Sequence, residues 1–353
     1  MTYSERLPGT PAVPDTRNRP LLWAATPVIY TLVYPGFVDV FHYAVGEAGN
    51  RVSLGGGIVA AIMLGLMLSV PLIGFVFALR GLGVPASPAF ETRARRIAYA
   101  VVAAPTMYCM VGVLQILVSS PVPDQVTWVV VWCLGILWLA AVPRDGGAAI
   151  KAPARPIPWL RVAHGVSAIV VLSYIAFHLG NHLFALVGPD AHAAVMEVGR
   201  KVYRSPIGEP ILVAAMLFQT VSGSVLAWRW SSHKLDFYKT FQVASGVFLV
   251  IYILGHMNAV FVLARAYFGI PTGWDFATGS PNGLIHDWWS ARLIPHYALA
   301  VFLVIGHLFS GLRVVMLAHG TETRMANRIW WVGASGGGLL SVVIMLAMCG
   351  FRI

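Results

Sequence analysis

The sequence predicts an all-α protein, a polytopic bundle of transmembrane helices, and two observations carry that prediction. Hydrophobic residues make up 58% of the 353 residues and charged residues only 11%, whereas a soluble globular chain is roughly 25% charged. Apolar stretches of about 20 residues, the length that crosses roughly 30 Å of hydrocarbon, recur about nine times along the chain. This composition excludes a soluble enzyme, a disordered protein and a secreted disulfide scaffold.

The predicted spans follow one another at short intervals. They lie near residues 22–45, 54–80, 97–119, 125–143, 160–187, 207–229, 240–265, 292–317 and 329–351. Pro71 and Pro105 predict kinks in the second and third of them. The polar, Pro-rich segment before the first span does not match a cleavable signal peptide, since the apolar run that follows is too long for one.

Basic residues are concentrated in alternate loops, which predicts the orientation of the chain. They are Arg6, Arg17 and Arg19, then Arg80, Arg93, Arg95 and Arg96, then Arg144, Lys151, Arg155 and Arg161, then Arg229, Lys234 and Lys239, and finally Arg313, Arg324 and Arg328. Because cytoplasmic loops carry an excess of Lys and Arg, we expect the N-terminus in the cytoplasm and the C-terminus outside. The same bias accounts for the net charge of +10 without a nucleic-acid partner. We expect a multi-pass protein among the lipids of a bacterial cell (inner) membrane.

A Gly/Ala/Pro-rich segment, Arg144 to Pro158, predicts a linker between two parts of the chain. Residues 1–150 form a four-span region whose role the residues do not indicate, and residues 151–353 form a five-span region. The histidines follow this division, because His42 is the only one of the 11 in the first part.

Histidines within the apolar spans are the main functional signal, because ionisable side chains in a bilayer are costly. His164 and His178 are 14 residues apart in span five, about 21 Å along a helix and on nearly the same face. The predicted orientation puts His178 and His256 in the outer half of the bilayer and His307 in the inner half. Two imidazoles from different helices at matched depth, with apolar walls and small neighbours, suit a b-type haem. The small residues near these histidines are Gly180, Gly223, Gly246, Gly255, Gly306 and Gly311.

Three motifs of the second part occur in a characteristic order: RVAHGVSAIVVLSYIAFHLGNHLF in span five, FQVASGVFLVIYILGH in span seven and IGHLFSGL in span eight. In content and order they resemble the cytochrome b membrane subunit of succinate dehydrogenase and fumarate reductase, in its five-helix, two-haem form. The resemblance covers residues 158–353. It implies that His178 and His256 are the axial ligands of an outer-half haem and that His307 is a ligand of an inner-half haem.

The chain departs from this family at the second inner ligand. In the MLFQTVSGSVLAW stretch of span six, the position of the family's histidine is occupied by Gln219, and glutamine is a poor ligand for haem iron. Three alternatives remain open. The inner site is empty, with His307 hydrogen-bonded to Gln219; or a haem is five-coordinate on His307; or another residue substitutes, with His164 on the correct side.

Other polar residues receive secondary assignments. We expect His182, one turn beyond His178, to lie beside the outer haem as a supporting group or propionate partner. Three arginines, Arg161, Arg204 and Arg313, are either propionate partners or loop charges that set the topology. Four histidines, His192, His233, His286 and His319, are expected to be solvated in loops. The long outer loops 188–206 and 266–291 are expected to cover part of the protein, the first with a helical piece and the second along the interface on Trp274, Trp288 and Trp289.

The function that follows is electron transfer between a quinone and a partner redox protein. The sequence contains no flavin fingerprint and no cysteine cluster for iron and sulfur, so we expect a non-catalytic subunit with a soluble flavoprotein or iron–sulfur partner on the cytoplasmic side. A haem-based redox or gas sensor, or signalling membrane anchor, is the first alternative. A haem-free transporter is the second, although transport pathways usually use carboxylates at depth, and these are nearly absent from the apolar spans.

Overall fold

The computed structural model describes residues 19–46, 52–81, 86–143 and 157–353, and within these residues the chain is helical, with no strand. The first part contains α1 (Arg19–Leu32), α2 (Tyr34–Val45), α3 (Leu54–Arg80), α4 (Pro88–Val102), α5 (Ala104–Leu117) and α6 (Asp124–Ala140). The second contains α7 (Pro158–Phe184), α8 (Pro189–Tyr203), α9 (Gly208–Trp230), α10 (Phe237–Met257), α11 (Trp274–Thr278), α12 (Gly283–His286), α13 (Leu293–Ala318) and α14 (Thr323–Met348). α10 continues as a π-helix over Asn258–Phe268, and Ser290–Arg292 form a 3₁₀ turn.

Seven helical segments of the described residues are long and apolar enough to cross a bilayer, which indicates an integral membrane protein. They are Pro20–Val45, Leu54–Arg80, Pro158–Phe184, Gly208–Trp230, Phe237–Phe268, Ser290–Ala318 and Thr323–Met348. The all-α class is therefore confirmed, and seven of the nine predicted spans are helices long and apolar enough to cross a bilayer.

The third and fourth predicted spans have a different form. The axes of α4 and α5 are bent by 70° at the break between them. Pro105 explains the bend that was expected there, because proline cannot donate the helical hydrogen bond and its ring clashes with the preceding turn. α6 has 17 residues, about 25 Å of helix, which is short of the roughly 30 Å hydrocarbon core. The described residues thus contain seven candidate spans, or eight if the bent pair counts as one, and the predicted total of nine and the orientation of the termini stay predictions.

The five long helices of the second part form a closed ring. α7 packs on α9, α9 on α10, α10 on α13, α13 on α14, and α14 on α7. α8 packs on α7 and α9 where they are joined, and we call that end of the ring the upper end and the opposite end the lower end. A Cβ at Gly199 of α8 would lie 2.1 Å from the ring of Phe177, so glycine allows α8 to seat tightly on α7. The expected helical piece after span five is therefore present.

The helices of the first part pack directly against this ring. α4 and α5 both contact α10, and one hydrophobic cluster contains buried residues of both parts. The guanidinium of Arg292, with a side chain 1% exposed, forms an ion pair with Asp124 of α6 and lies over the rings of Tyr108 and Trp289. Most of the predicted linker, residues 144–156, lies outside the described residues, and the division at residue 150 stays a prediction.

Candidate functional site

Two histidines from non-adjacent helices face each other in the upper part of the ring. His178 of α7 and His256 of α10 have ring centroids 6.2 Å apart and ring planes 66° apart. Because α7 packs on α9 and α14 while α10 packs on α9 and α13, the two imidazoles reach each other across the ring interior. The sequence placed these two residues at the same predicted depth, and in the structure their rings lie next to each other.

Each of these histidines has a tyrosine four residues before it on the same helix. The ring of Tyr174 stacks on His178 at 5.3 Å, and the ring of Tyr252 stacks on His256 at 5.5 Å. The Tyr174 hydroxyl also lies 3.4 Å from Nδ1 of His178. Residues four apart share a helix face, so each tyrosine fixes the orientation of its imidazole. Sequence analysis missed this pair, although Tyr-Ile-x-x-His occurs in both helices and was the available signal.

The imidazoles open into a cavity of about 260 Å³ in the upper part of the ring. A single water needs about 10–15 Å³ of such space, so the cavity has room for an organic molecule. Its apolar walls come from all five helices of the ring and include Val171, Met216, Leu249, Ile253, Val304 and Met348. The site is therefore a largely apolar chamber lined by imidazoles, the usual composition of a cofactor pocket.

A second polar group lies at the upper end of the chamber, and one of its members was assigned wrongly from the sequence. His192 was expected to be a solvated loop residue, but it belongs to α8, is 4% exposed and lies 3.1 Å from the Asn181 amide. Its ring is 5.3 Å from that of His182, which in turn is 4.7 Å from His178. Burial, and after it the positive charge of Arg200, lowers the pKa of His192.

Three buried polar atoms of this group have no hydrogen-bond partner within the described residues: Oδ1 of Asn181, Nδ1 of His182 and Nδ1 of His192. Buried polar atoms are normally paired, because an unpaired one loses its hydration without compensation. All three residues line the chamber. The upper end of the chamber is thus suited to polar groups of a bound molecule. His182 lies beside His178, as expected.

The segment after α10 closes the chamber, but its tryptophans do not all lie at an interface. Trp274 is 8% exposed, and its ring lies 4.7 Å from that of His192. The expectation for this residue was wrong, because α11 folds over the histidines and buries it. Trp288 is 45% exposed, as expected.

Of the three candidate arginines, only Arg204 lines the chamber. It donates to Oγ1 of Thr272 at 2.5 Å. Arg313 instead bonds Asn327 and lies over the ring of Tyr238, and Arg161 is exposed away from it. Arg204 is therefore the arginine placed to meet a carboxylate in this chamber.

The remaining histidines differ among themselves. His233 and His319 are exposed, as expected. The expectation was wrong for His286, which is half-buried and whose Nδ1 lies 2.9 Å from the carbonyl oxygen of Gly46 in the first part. His42 lies in α2, where its Nδ1 is buried and has no hydrogen-bond partner among the residues that the structure describes.

At the lower end of the ring, Gln219 and His307 are engaged by different partners. The Gln219 amide donates to the carbonyl oxygen of His164 and to Oγ of Ser167, both at 2.6 Å. Nδ1 of His307 lies 3.0 Å from Oγ of Ser245. Gln219 therefore ties α9 to α7, and the structure does not show the hydrogen bond between Gln219 and His307 that one alternative required.

Two of the six glycines noted in the sequence lie against histidines. A Cβ at Gly223 would lie 3.4 Å from Cε1 of His164, and one at Gly246 would lie 3.2 Å from Cε1 of His307. Gly255 and Gly306 instead face Met110 and Phe241, and Gly180 and Gly311 face open space.

The upper pair has the spacing of two ligands on opposite sides of one metal. An imidazole nitrogen lies about 2.0 Å from a bound transition metal, so the centres of two rings facing across it are roughly 6 Å apart. The 6.2 Å between His178 and His256 meets this requirement. A porphyrin supplies four further nitrogen ligands and needs apolar walls, so the chamber residues fit a b-type haem. Comparisons with protein-family models, curated proteins and solved structures return no match for this chain.

Proposed function

We propose that this chain is a membrane-embedded b-type cytochrome that passes electrons between a membrane quinone and a partner redox protein. One observation carries the proposal: two imidazoles from non-adjacent membrane-spanning helices face each other at 6.2 Å inside an apolar chamber. The resemblance of residues 158–353 to the cytochrome b subunit of succinate dehydrogenase and fumarate reductase supports the same assignment of His178 and His256.

The residues of the chamber have separate tasks. His178 and His256 would hold the haem, while Tyr174 and Tyr252 keep the two imidazoles in orientation. The apolar walls exclude water, and α8 with α11 covers the upper end. When bound, a b-type haem supplies a one-electron couple whose potential depends on its axial ligands and surroundings.

Two protein ligands on one iron leave no open coordination position. That arrangement suits electron transfer better than the binding of a gas, and it favours the cytochrome over the sensor. Arg204, together with the unpaired Nδ1 of His182, is placed to hold negatively charged substituents at the upper edge of the chamber.

In this proposal the partner redox protein binds at the lower end of the ring. Arg96 donates to the backbone of Trp228 and lies 3.4 Å over its ring at the lower end of α9, and Arg93 lies over Trp138. Half-buried arginines held in place in this way suit an acidic face of a soluble flavoprotein or iron–sulfur protein, because charge complementarity steers association. The lower end would then face the cytoplasm, in agreement with the basic loops, in a bacterial inner membrane.

The test is the reduced-minus-oxidised absorbance spectrum of the purified full-length protein, with its haem-to-protein ratio. We expect b-type bands in the intact protein and the loss of one haem per chain in His178→Ala and in His256→Ala. His319→Ala, which removes an exposed histidine of the same chain, serves as the matched control and retains all haem. A haem-free intact protein, or unchanged haem content in both chamber variants, contradicts the proposal.

A further inference from the structure

The lower end of the ring contains a second pair of histidines on non-adjacent helices, His164 of α7 and His307 of α13. We infer that these two residues hold a second b-type haem, with His164 in place of the ligand that the family resemblance implies at Gln219. This inference rests on the proposed function and assigns a ligand pair that the sequence left open. Three features of the structure support it: the hydrogen bonds of both imidazoles, the glycines beside them and the shared stretch of α10 near which both lie.

The hydrogen bonds favour the same tautomer in both histidines. Nδ1 of His164 lies 2.7 Å from Oγ of Ser222, and Nδ1 of His307 lies 3.0 Å from Oγ of Ser245. Each serine hydroxyl donates its own proton to the backbone carbonyl four residues earlier on its helix. Because a hydroxyl has only one proton to donate, each serine oxygen accepts from Nδ1–H of its histidine.

The consequence is a free lone pair on Nε2 of both rings. A neutral imidazole protonated at Nδ1 is unprotonated at Nε2, which is the form that binds a metal. Metal-bound histidines almost always donate their other N–H to a hydrogen-bond acceptor, and this fixes the ring and raises its basicity. Ser222 and Ser245 are therefore placed as the supporting acceptors of two metal ligands.

Both imidazoles lie beside a glycine at the ring carbon next to Nε2. The built Cβ positions of Gly223 and Gly246 are 3.4 and 3.2 Å from Cε1 of His164 and His307. A larger side chain at either position would press on the imidazole and turn it. Glycine at these points therefore lets each ring seat closely against α9 or α10 in the orientation that its serine fixes.

The two histidines lie near the same face of α10, at positions that are one turn apart on that helix. A Cβ at Gly223 would contact both His164 and Val250 of α10, and Val250 lies four residues after Gly246, which contacts His307. Residues four apart share a helix face, so His164 and His307 approach one stretch of α10 from α7 and α13. The lining of the upper chamber includes Val304, three residues before His307, but neither His307 nor His164, so the lower pair is separate from the upper chamber.

The chemistry of the pair points to a macrocycle as the ligand. Two neutral nitrogens from the protein fill two coordination positions, and a porphyrin fills the other four of an octahedral iron. With His164 and His178 both on α7, 14 residues apart, a single helix would supply one ligand to each of two haems about 21 Å apart along its axis. The pair of haems would then form an electron path across the membrane.

The experiment measures the haem-to-protein ratio and the electron paramagnetic resonance spectrum of the oxidised full-length protein purified in detergent. We expect a ratio near two in the intact protein and near one in His164→Ala and in His307→Ala. The haem that remains in these variants should keep the low-spin signal that His178→Ala removes. His319→Ala, again the matched control, should retain both haems.

A second variant covers the case in which the alanine proteins do not fold. Methionine is also a haem ligand and raises the reduction potential relative to a second histidine. His164→Met should therefore keep two haems and raise the midpoint potential of one of them. Neither change is expected of a residue that only packs against the site.

The outcomes separate this inference from the proposed function. A ratio near two in His164→Ala removes His164 as a ligand, and a ratio near one in the intact protein that falls to zero in His178→Ala removes the lower site. Either result overturns the inference and leaves the cytochrome intact. A ratio of zero in the intact protein overturns the proposed function itself.

Discussion

The two ends of the five-helix ring present histidines in different ways. At the upper end His178 and His256 face each other directly, and stacked tyrosines hold their rings. At the lower end His164 and His307 are held by short hydrogen bonds from Nδ1 to serines. The upper pair is thus defined by the distance between its rings and by the chamber that they line, and the lower pair by its hydrogen bonds to serines and by the glycines beside it. The comparison teaches that one scaffold positions imidazoles by aromatic packing at one end and by hydrogen bonding at the other.

A larger side chain beside His307 should remove one haem and leave the other in place. In Gly246→Leu the Cβ alone would lie 3.2 Å from Cε1 of His307, so the leucine would push the imidazole out of its position, and we expect the haem-to-protein ratio to fall from about two to about one. The remaining haem should keep the spectrum of the upper site. Absorbance and haem assay of the purified variant check this.

The matched control is Gly311→Leu, since Gly311 faces open space on the same helix as His307. It should keep both haems. Loss of the upper haem in Gly246→Leu, with the lower one retained, would mean that the two ends have been assigned the wrong way round.

Removing one supporting hydroxyl should affect the lower end more than the upper end. Ser222→Ala deletes an acceptor 2.7 Å from Nδ1 of His164, whereas Tyr174→Phe deletes a hydroxyl 3.4 Å from Nδ1 of His178 and keeps the stacked ring. Loss of such a partner typically weakens metal binding about 10–100-fold and lowers the basicity of the ligand. We expect Ser222→Ala to raise the midpoint potential of the lower haem and Tyr174→Phe to leave the upper potential nearly unchanged.

Redox titration of both variants, monitored by absorbance, measures the two shifts. Tyr252→Phe is the control for the loss of a stacked hydroxyl. A larger shift in Tyr174→Phe than in Ser222→Ala would reverse the comparison and make the tyrosine hydroxyl the stronger support.

The smallest expected effect is a pH dependence of stability at the upper end. Burial lowers the pKa of His192 in the folded protein, while the unfolded chain binds the proton with a pKa near 6.5. The contribution of His192 to stability is therefore complete above about pH 6.5 and is lost as the pH falls below it. We expect the intact protein to lose on the order of 1–3 °C more in Tm between pH 7.5 and 5.5 than His192→Gln does.

Thermal unfolding of both proteins at the two pH values gives the difference. His233→Gln, which changes an exposed histidine, should behave like the intact protein. An equal loss of Tm in the intact protein and in His192→Gln would show that protonation at this position does not loosen α8.

The sequence was sufficient for the elements whose signal is local. Of the nine spans that the apolar runs predicted, seven are long apolar helices, Pro105 predicted the bend between α4 and α5, and matched depth paired His178 with His256. These features depend on composition and on the helical repeat, which a single sequence displays directly.

Contacts between distant segments were not predictable in the same way. His192 looked like a solvated residue because its segment carries many charges, but the absence of a side chain at Gly199 lets α8 approach Phe177 closely and His192 is buried. Trp274 is buried for a related reason, since α11 folds back on the histidines. At Gln219 the local motif suggested a missing ligand, while the bond from its amide to α7 depends on how two helices pack.

The central claim is that His178 and His256 bind one iron from opposite sides, and the double variant His164→Ala/His307→Ala tests it most directly, because it leaves only the upper pair. We predict a single low-spin electron paramagnetic resonance signal in its oxidised form and no change in the absorbance of its reduced form under carbon monoxide, because both axial positions are occupied. A high-spin signal together with carbon monoxide binding would contradict the claim, since it would mean that at most one of the two histidines binds the iron.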